Sequence, residues 1–320
     1  LITMKCFHHN DPDGYCAAFW VLMCLKHRGE ELTAENFVEM NYDRQFPMDT
    51  IKKDEEIWIV DFSISRDEML KLLSITRNVT WIDHHITAIE KMVGVDEPIA
   101  GIRLDGVSGC MLTWAYTHGY VDGGQLGYLT DEIDPEDGDR LFQIDPSVIN
   151  RAPMFTQLIN DWDIWARKMD PQTVNFMTCL QSAENIKPTA AFWNHLWWDD
   201  KHNRGQILED MVSNGEYMLK YRDGYAKTVL DSIGFAGKFE GYNCFFVNLP
   251  KCNSEFFKSV EGKGYDIFIP FYYTGSNWLV SLYSQSVDVS KIAVKHGGGG
   301  HRGAAGFTVY ADTVPFKKIA

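Results

Sequence analysis

The chain is predicted to be an α/β protein: a domain built on a mostly parallel sheet, then a helical linker, then a smaller α+β domain. Three observations predict this. From Met4 to about Ile186, short β-type runs alternate with helical ones, the texture of βα units around a parallel sheet. After Gly234, apolar β-type runs follow one another with little helix between them. Several of the early runs also end in Asp or His, at the carboxyl ends of strands, where open α/β sheets gather their ligands. The expected boundaries are 1–186 for the first domain, 187–232 for the linker and 233–320 for the second domain.

In chain order, strands are read at residues 4–9, 36–42, 57–61, 79–83 and 101–104. Tyr15 to His27 and Asp67 to Leu73 carry apolar residues at helical spacing. Ser108 is placed as the N-cap of a helix running through Tyr116. Residues 122–147, rich in Gly, Asp and Pro, read as a long loop, and the acidic run Asp131 to Asp139 within it as a solvated insertion. Pro153 to Trp165 returns to helix, and Asn203 to Leu230 reads as one or two helices bridging the halves. Strands follow at 242–247, 265–273 and 278–283, and Val287 to Lys295 forms a helix ahead of a glycine run. Asn253-Ser254-Glu255 reads as a helix N-cap box, with a specificity loop as the alternative.

Composition narrows the function. With 320 residues, 45% hydrophobic and 23% charged, the chain has the make-up of a soluble globular protein. No membrane is implied, because the longest apolar stretch, Ala17 to Leu25, is about half of a bilayer span. Seven cysteines without a C-x-x-C pair suggest neither a disulfide framework nor a zinc knuckle, and fit a reducing cytoplasm. The net charge of −14 and the lack of a basic run argue against long duplex nucleic acid and favour short phosphate substrates.

The chemistry-bearing residues fall in four blocks. Asp83-His84-His85 closes the apolar run Val79 to Ile82, and Asp61 closes Ile57 to Val60. His9-Asn10-Asp11-Pro12-Asp13-Gly14 follows the run Met4 to Phe7, and Asn160-Asp161-Trp162-Asp163 adds a fourth acidic spot. A turn of Asp, Pro and Gly is common in itself; its weight comes from the repeated arrangement of strand, then carboxylate. His9, Asp11 and Asp13 alternate, so an extended segment would set them on one face. Separate strands ending in Asp and His would collect hard oxygen ligands and imidazoles into one polynuclear site.

These blocks, in this order, resemble the DHH phosphoesterase superfamily. The segment His296-Gly297-Gly298-Gly299-Gly300-His301-Arg302-Gly303-Ala304-Ala305-Gly306-Phe307 resembles the GGGH-x-x-A-A-G signature of the substrate-binding domain (DHHA1) that follows the catalytic domain in many members. Within the superfamily the chain is most similar to the nanoRNase B-like oligoribonucleases, which share Asn253-Ser254-Glu255, Val280-Ser281-Leu282 and the quadruple glycine.

The resemblance implies His9 and Asp11 on one metal ion, Asp13 on a second and Asp61 between them, with His8 as a competitor for the place of His9. It implies His84 as a ligand, Asp83 as a ligand or as the partner that orients an imidazole, and His85 facing the phosphate. Asp161 is the expected bridging or second-metal carboxylate, with Asp163 as the alternative. Carboxylate and imidazole donors without thiolate suit Mn²⁺, with Mg²⁺ or Co²⁺ as substitutes. Gly298, Gly299 and Gly300 would cradle a phosphate with main-chain N–H groups, and His301 and Arg302 would add charge-assisted hydrogen bonds.

The expected activity is a two-metal phosphodiesterase, of exonuclease type, removing mononucleotides from short RNA or DNA oligomers. Substrate is expected between the catalytic and glycine-loop domains. A hydrolase of a dinucleotide, a cyclic dinucleotide or 3′-phosphoadenosine phosphate is the alternative. A non-catalytic nucleotide-binding module is the reading from another class; retention of every expected ligand type stands against it. Nucleic-acid type, polarity, and monomer or homodimer stay open.

Overall fold

Four strands, β1 (Met4–His9), β2 (Phe37–Met40), β3 (Glu56–Val60) and β4 (Val79–Ile82), pair in parallel in the order β2-β1-β3-β4. The computed structural model describes residues 4–42, 44–92, 98–120, 128–133, 140–143, 146–202, 204–300, 302–310 and 315–316. It divides into two compact units, Leu1–Glu216 and Tyr217–Ala320. The α/β class with a parallel sheet and a second, separate sheet is that predicted.

Both faces of the first sheet are buried, which is why its strands read as nearly continuous apolar runs rather than alternating ones. Cys6, Trp58, Val60 and Ile82 pack on one side, and Phe7, Ile57, Ile59 and Trp81 on the other. α1 (Pro12–His27) starts at Asp11, whose side chain accepts from Gly14 N, with Pro12 where its missing N–H costs nothing. α2 (Arg66–Ile75) begins in a Ser65/Glu68 capping box and covers the second face through Met69, Leu72 and Leu73.

The expected fifth strand is reduced to a ladder of bridges, Thr80 to Ala100 and Asp83 to Arg103. Gly101, at φ 107°, leaves the strand conformation between them. After α3 (Ile86–Lys91), α4 (Gly109–Thr117) opens at Ser108, whose hydroxyl accepts from Met111 N. The segment read as one long loop contains a hairpin, β5 (Tyr128–Ile133) with β6 (Arg140–Gln143). The β-type residues of its strands were outweighed by the acids between them; residues 134–139 of that acidic run lie outside the described residues. α5 (Pro146–Ile149), α6 (Met154–Asp163), α7 (Gln172–Gln181) and α8 (Ala191–Lys201) follow. They complete a core in which Trp193 lies near Phe19, with ring planes 24° apart, and near Phe155.

α9 (Gln206–Ile233) carries the chain into the second unit. There β7 (Phe235–Phe239), β8 (Tyr242–Asn248), β9 (Ile267–Tyr273), β10 (Trp278–Tyr283), β11 (Gly299–Gly300) and β12 (Ala304–Val309) form one sheet in the order β11-β12-β10-β9-β8-β7. Among its described strands, β8 and β9 pair in parallel and the other neighbours are antiparallel. α10 (Val289–Lys295) covers one face of it. Asn253 precedes a short 3₁₀ turn, Ser254–Phe257, without the side-chain cap expected of it. Among the described residues no helix is long and apolar enough to cross a membrane.

Trp193 is fully buried and joins α8 to α1 and α6 through ring contacts. Trp193→Ala is expected to remove about 3–5 kcal/mol of stability, read as a lower urea midpoint.

Candidate metal centre

The parallel sheet places the residues after β1, β3 and β4 at a common edge, because strands running one way end on one side. His9 ends β1, Asp61 follows β3, and Asp83-His84-His85 follows β4. α4 and α6 bring Gly109 and Asp163 to the same place.

Among the described residues three overlapping groups of donors meet there: His9, Asp11 and Asp61; Asp13, His84 and Asp163; and Asp61, Asp83, His84 and His85, the donor atoms within each lying no more than 4.8 Å apart. Nδ1 of His9 is 2.7 Å from Asp11 Oδ2 and 4.0 Å from Asp61 Oδ2. Nε2 of His84 is 3.2 Å from Asp61 Oδ1, 3.4 Å from Asp163 Oδ2 and 3.8 Å from Asp13 Oδ2. Asp61 thus lies between the first two groups, one oxygen toward each.

Asp13 reaches this cluster from the first turn of α1, not from an extended segment as its alternation with His9 and Asp11 suggested. Its carboxylate accepts from Gly109 N at 2.7 Å and Cys110 N at 2.9 Å, the opening N–H groups of α4. Asp83 is fully buried and accepts from the Ser63 hydroxyl, from His84 N at 2.8 Å and from His85 Nδ1 at 2.7 Å. That contact fixes one nitrogen of the His85 ring, which is itself partly exposed.

The two carboxylates of the fourth block part company. Asp161 is turned away from the cluster: its oxygens accept from Lys168 N at 2.8 Å, Met169 N at 3.1 Å and the Thr173 hydroxyl at 2.5 Å. It ties α6 to the turn before α7. Asp163 occupies the cluster instead, because residues two apart on a helix point to different sides. His8 is buried with its Nδ1 bonded to His9 O at 2.8 Å, and burial pushes its pKa down to about 4.

The electrostatics are those of carboxylates crowded out of water. Burial, then the charges of Asp13, Asp11, Asp163 and Asp83, raise the Asp61 pKa well above the ordinary carboxylate value. Burial, then Asp13 and Asp11, push Asp163 up to about 9. Asp11 and Asp83 go the other way: burial opposes their ionisation, but the hydrogen bonds from His9 and His85 outweigh it. The His85 pKa is raised: burial would lower it, and the bond to Asp83 outweighs that.

The donor set fits divalent cations on an observation independent of charge: Asp61 Oδ2 is buried with no hydrogen-bond partner among the described residues. The backbone there is also strained, Asp61 having φ 51°. Sequence reasoning missed Gly109. A Cβ on it would come within 2.5 Å of Asp61 Cβ and 2.8 Å of Oδ1, so only glycine lets α4 approach that carboxylate. Ser63 was missed too. Neither residue type carries a metal signature; the only available signal was the Ser108-Gly109 helix start.

Gly298, Gly299, Gly300 and Arg302 belong to the second unit, and His301 lies outside the described residues. Gly299 and Gly300 pair with Gly306 and Ala305 as β11 against β12. Side chains on Gly298 or Gly300 would meet Gly306 O at 2.0 Å or Ala305 Cα at 2.6 Å, whereas one on Gly299 would meet nothing. Two glycines of the run therefore serve close strand packing. His296, ahead of them, is held by Glu240 at 3.0 Å and stacked on Phe307. Arg302 is exposed and accepts from Val289 N at 2.9 Å through its carbonyl.

No protein-family model matches the chain. It is 24% identical over 340 residues to the uncharacterized protein R106 of Acanthamoeba polyphaga mimivirus, covering 99% of this chain and 70% of that protein. Among solved structures it is similar to the pGpG-specific phosphodiesterase PggH of Vibrio cholerae, at 11% identity over 98% of this chain and 94% of that one, with a TM-score of 0.47. It is similar to RecJ of Thermus thermophilus in complex with Mn²⁺ at 13% identity over 96% of this chain and 49% of that one, also with a TM-score of 0.47.

Two outcomes follow from the geometry. Asp161→Asn is expected to lower the melting temperature, because an amide nitrogen now faces N–H and O–H donors in a buried place, while Asp163→Asn is expected to leave the fold intact and to reduce any rise in melting temperature on adding Mn²⁺. The second is pH dependence. Asp61, Asp163 and His85 bind protons more tightly folded than unfolded, so chelator-treated protein loses stability as pH rises from about 5 to 9. The depressed Asp11 and Asp83 contribute their opposite slope below that window. Melting curves with EDTA should fall across it, and Mn²⁺ should flatten them.

Proposed function

We propose that the first unit is a metal-dependent phosphodiesterase that hydrolyses short oligonucleotides to mononucleotides. The observation that carries this is the Asp61 carboxylate, buried between a His9/Asp11 group and an Asp13/His84/Asp163 group with one oxygen left unpartnered among the described residues. In this reading His9, Asp11 and Asp61 hold one divalent ion and Asp13, Asp61, His84 and Asp163 a second. Mn²⁺ suits the mixed donors, with Mg²⁺ or Co²⁺ as substitutes. Such a pair, when bound, supplies Lewis acidity and charge neutralisation for an in-line displacement at phosphorus.

The chain's own residues do the rest. Asp83 holds the His85 imidazole through Nδ1, leaving Nε2 as the atom that would donate to a phosphoryl oxygen or the leaving oxygen. Ser63 and the N–H of His84 fix Asp83 in turn. Asp13 is held in place by the α4 N–H groups. The glycine segment of the second unit, with His301 and Arg302, is the proposed contact for a further phosphate or nucleotide.

The order of the motifs supports membership of the DHH superfamily, and the Asn253-Ser254-Glu255 and quadruple-glycine blocks favour a nanoRNase B-like enzyme. The net charge of −14 favours short substrates, since affinity for long strands grows with the number of phosphates neutralised.

His85→Ala should keep the Mn²⁺-induced rise in melting temperature and lose about a hundred-fold or more in kcat, whereas Asp61→Asn should lose both. With Mn²⁺, kcat/KM on a trinucleotide should exceed that on a strand several times longer at one salt concentration. Preference for the long strand with processive products would point to a RecJ-like exonuclease instead. Activity confined to cyclic dinucleotides or 3′-phosphoadenosine phosphate would point to a small-phosphate hydrolase.

A further inference from the structure

One aromatic side chain stands against both His9 and His85 of the cluster. Tyr42, on the chain leaving β2, is 57% exposed. Its ring centroid lies 5.8 Å from that of His9, 6.2 Å from that of His85 in an edge-on arrangement, and 5.1 Å from that of Phe62. Tyr42 also lines a cavity of about 280 Å³ together with Arg44, Gln45, Phe46, Phe62 and Ile64. The cavity and the candidate metal centre therefore share a wall.

The chemistry of this wall is selective. Phe46 is fixed by the buried Phe7 ring, 4.5 Å away between centroids. The hydroxyl of Ser63 is committed to Asp83, and Ser65 with Glu68 to the cap of α2. Among the described residues, what remains is a set of rings and one branched aliphatic, with the Gln45 amide, the Arg44 guanidinium, the Tyr42 hydroxyl and the second oxygen of Glu68 as the polar groups. Arg44 already donates to Glu39 O at 3.2 Å. A phosphate seat gathers several converging N–H donors and no carboxylate; among the described residues this cavity offers one guanidinium and one amide, with the Glu68 carboxylate beside them. A flat heteroaromatic with a polar edge matches it better, since its face can stack while its edge meets an amide.

We infer that this cavity takes the nucleobase of the nucleotide whose phosphate lies at the cluster, with Tyr42 as the stacking residue that favours a nucleoside over a bare sugar phosphate. The inference rests on the phosphodiesterase reading and adds to it a base subsite inside the first unit. Tyr42 is a specificity determinant, not a group that handles the reacting atoms.

The test is binding of adenosine 5′-monophosphate and of ribose 5-phosphate to the full-length Mn²⁺-loaded protein by calorimetry, with Tyr42→Ala, Tyr42→Phe and Tyr42→Trp beside it. The base should tighten binding on the order of ten-fold, Tyr42→Ala should erase that difference, and Phe or Trp should keep it. Equal affinity of the two ligands in the unaltered protein, no binding of the nucleotide, or equal weakening of both by Tyr42→Ala would overturn the inference. Retention by the Phe and Trp variants separates stacking from damage to the fold. In parallel, the unaltered protein is assayed on a dinucleotide and on the same molecule lacking one base. Failure to cleave any phosphodiester with Mn²⁺ would remove the phosphodiesterase reading, and the binding comparison would still decide the subsite.

Discussion

A carboxylate with too many carboxylate neighbours is the constraint around which the first unit is arranged. Asp61 is fully buried beside Asp11, Asp13, Asp83 and Asp163. At an effective dielectric near 20, like unit charges about 4 Å apart repel by about 4 kcal/mol, a large fraction of a domain's whole stability. The fold answers unevenly. Asp13 receives two N–H groups from α4, Asp11 receives Gly14 N and the His9 ring, and Asp83 receives a hydroxyl, an N–H and an imidazole. Asp61 Oδ2 receives nothing from the described residues. Asp11, Asp13 and Asp83 are satisfied by the protein, while the central carboxylate keeps one oxygen without a partner among the described residues.

That asymmetry depends on how the elements are joined. Parallel strands deliver His9, Asp61 and Asp83 to one edge, since β1, β3 and β4 are neighbours in the sheet without interruption. The start of α4 must then come close enough for its N–H groups to reach Asp13 past Asp61, which a side chain at position 109 would block. The same helix start serves as anion holder and as the wall of the centre. Ser108, as N-cap, has its own N–H held by Asn160 Oδ1 at 2.9 Å, which ties α6 to α4 immediately ahead of Asp161. From that anchor the last turn of α6 directs Asp161 to the segment before α7 and Asp163 to the cluster. Trp162, between them, carries the Arg167 guanidinium 3.9 Å from its ring centroid.

Much of this was legible in the sequence because the signals are local. Strand-then-carboxylate blocks marked the three strand ends, and the Ser108 cap and the apolar run of α1 marked helices with definite starts. What was not legible was anything decided by direction in space. Asp161 and Asp163 are the same residue type two positions apart, and only the turn before α7 determines which one is consumed by Lys168 N, Met169 N and Thr173. Gly109 and Ser63 act through closeness to Asp61 and Asp83, partners remote from them in the chain. The hairpin of β5 and β6 was hidden by its acids, since charge runs read as loop whatever the backbone beneath them does.

The charge of the chain bears on how such a centre could work. At −14 overall the chain disfavours the approach of a phosphate, and burial and neighbouring carboxylates hold Asp61 and Asp163 toward their protonated forms. In the proposed reading, divalent cations held by these residues would displace those protons and make the local field favourable to a phosphate. A substrate with many phosphates gains little from the rest of an acidic surface, whereas one or two phosphates need only the cations and a few donors. The proposed preference for short substrates and the proposed dependence on metal are then consequences of one arrangement, a buried carboxylate the protein does not itself neutralise.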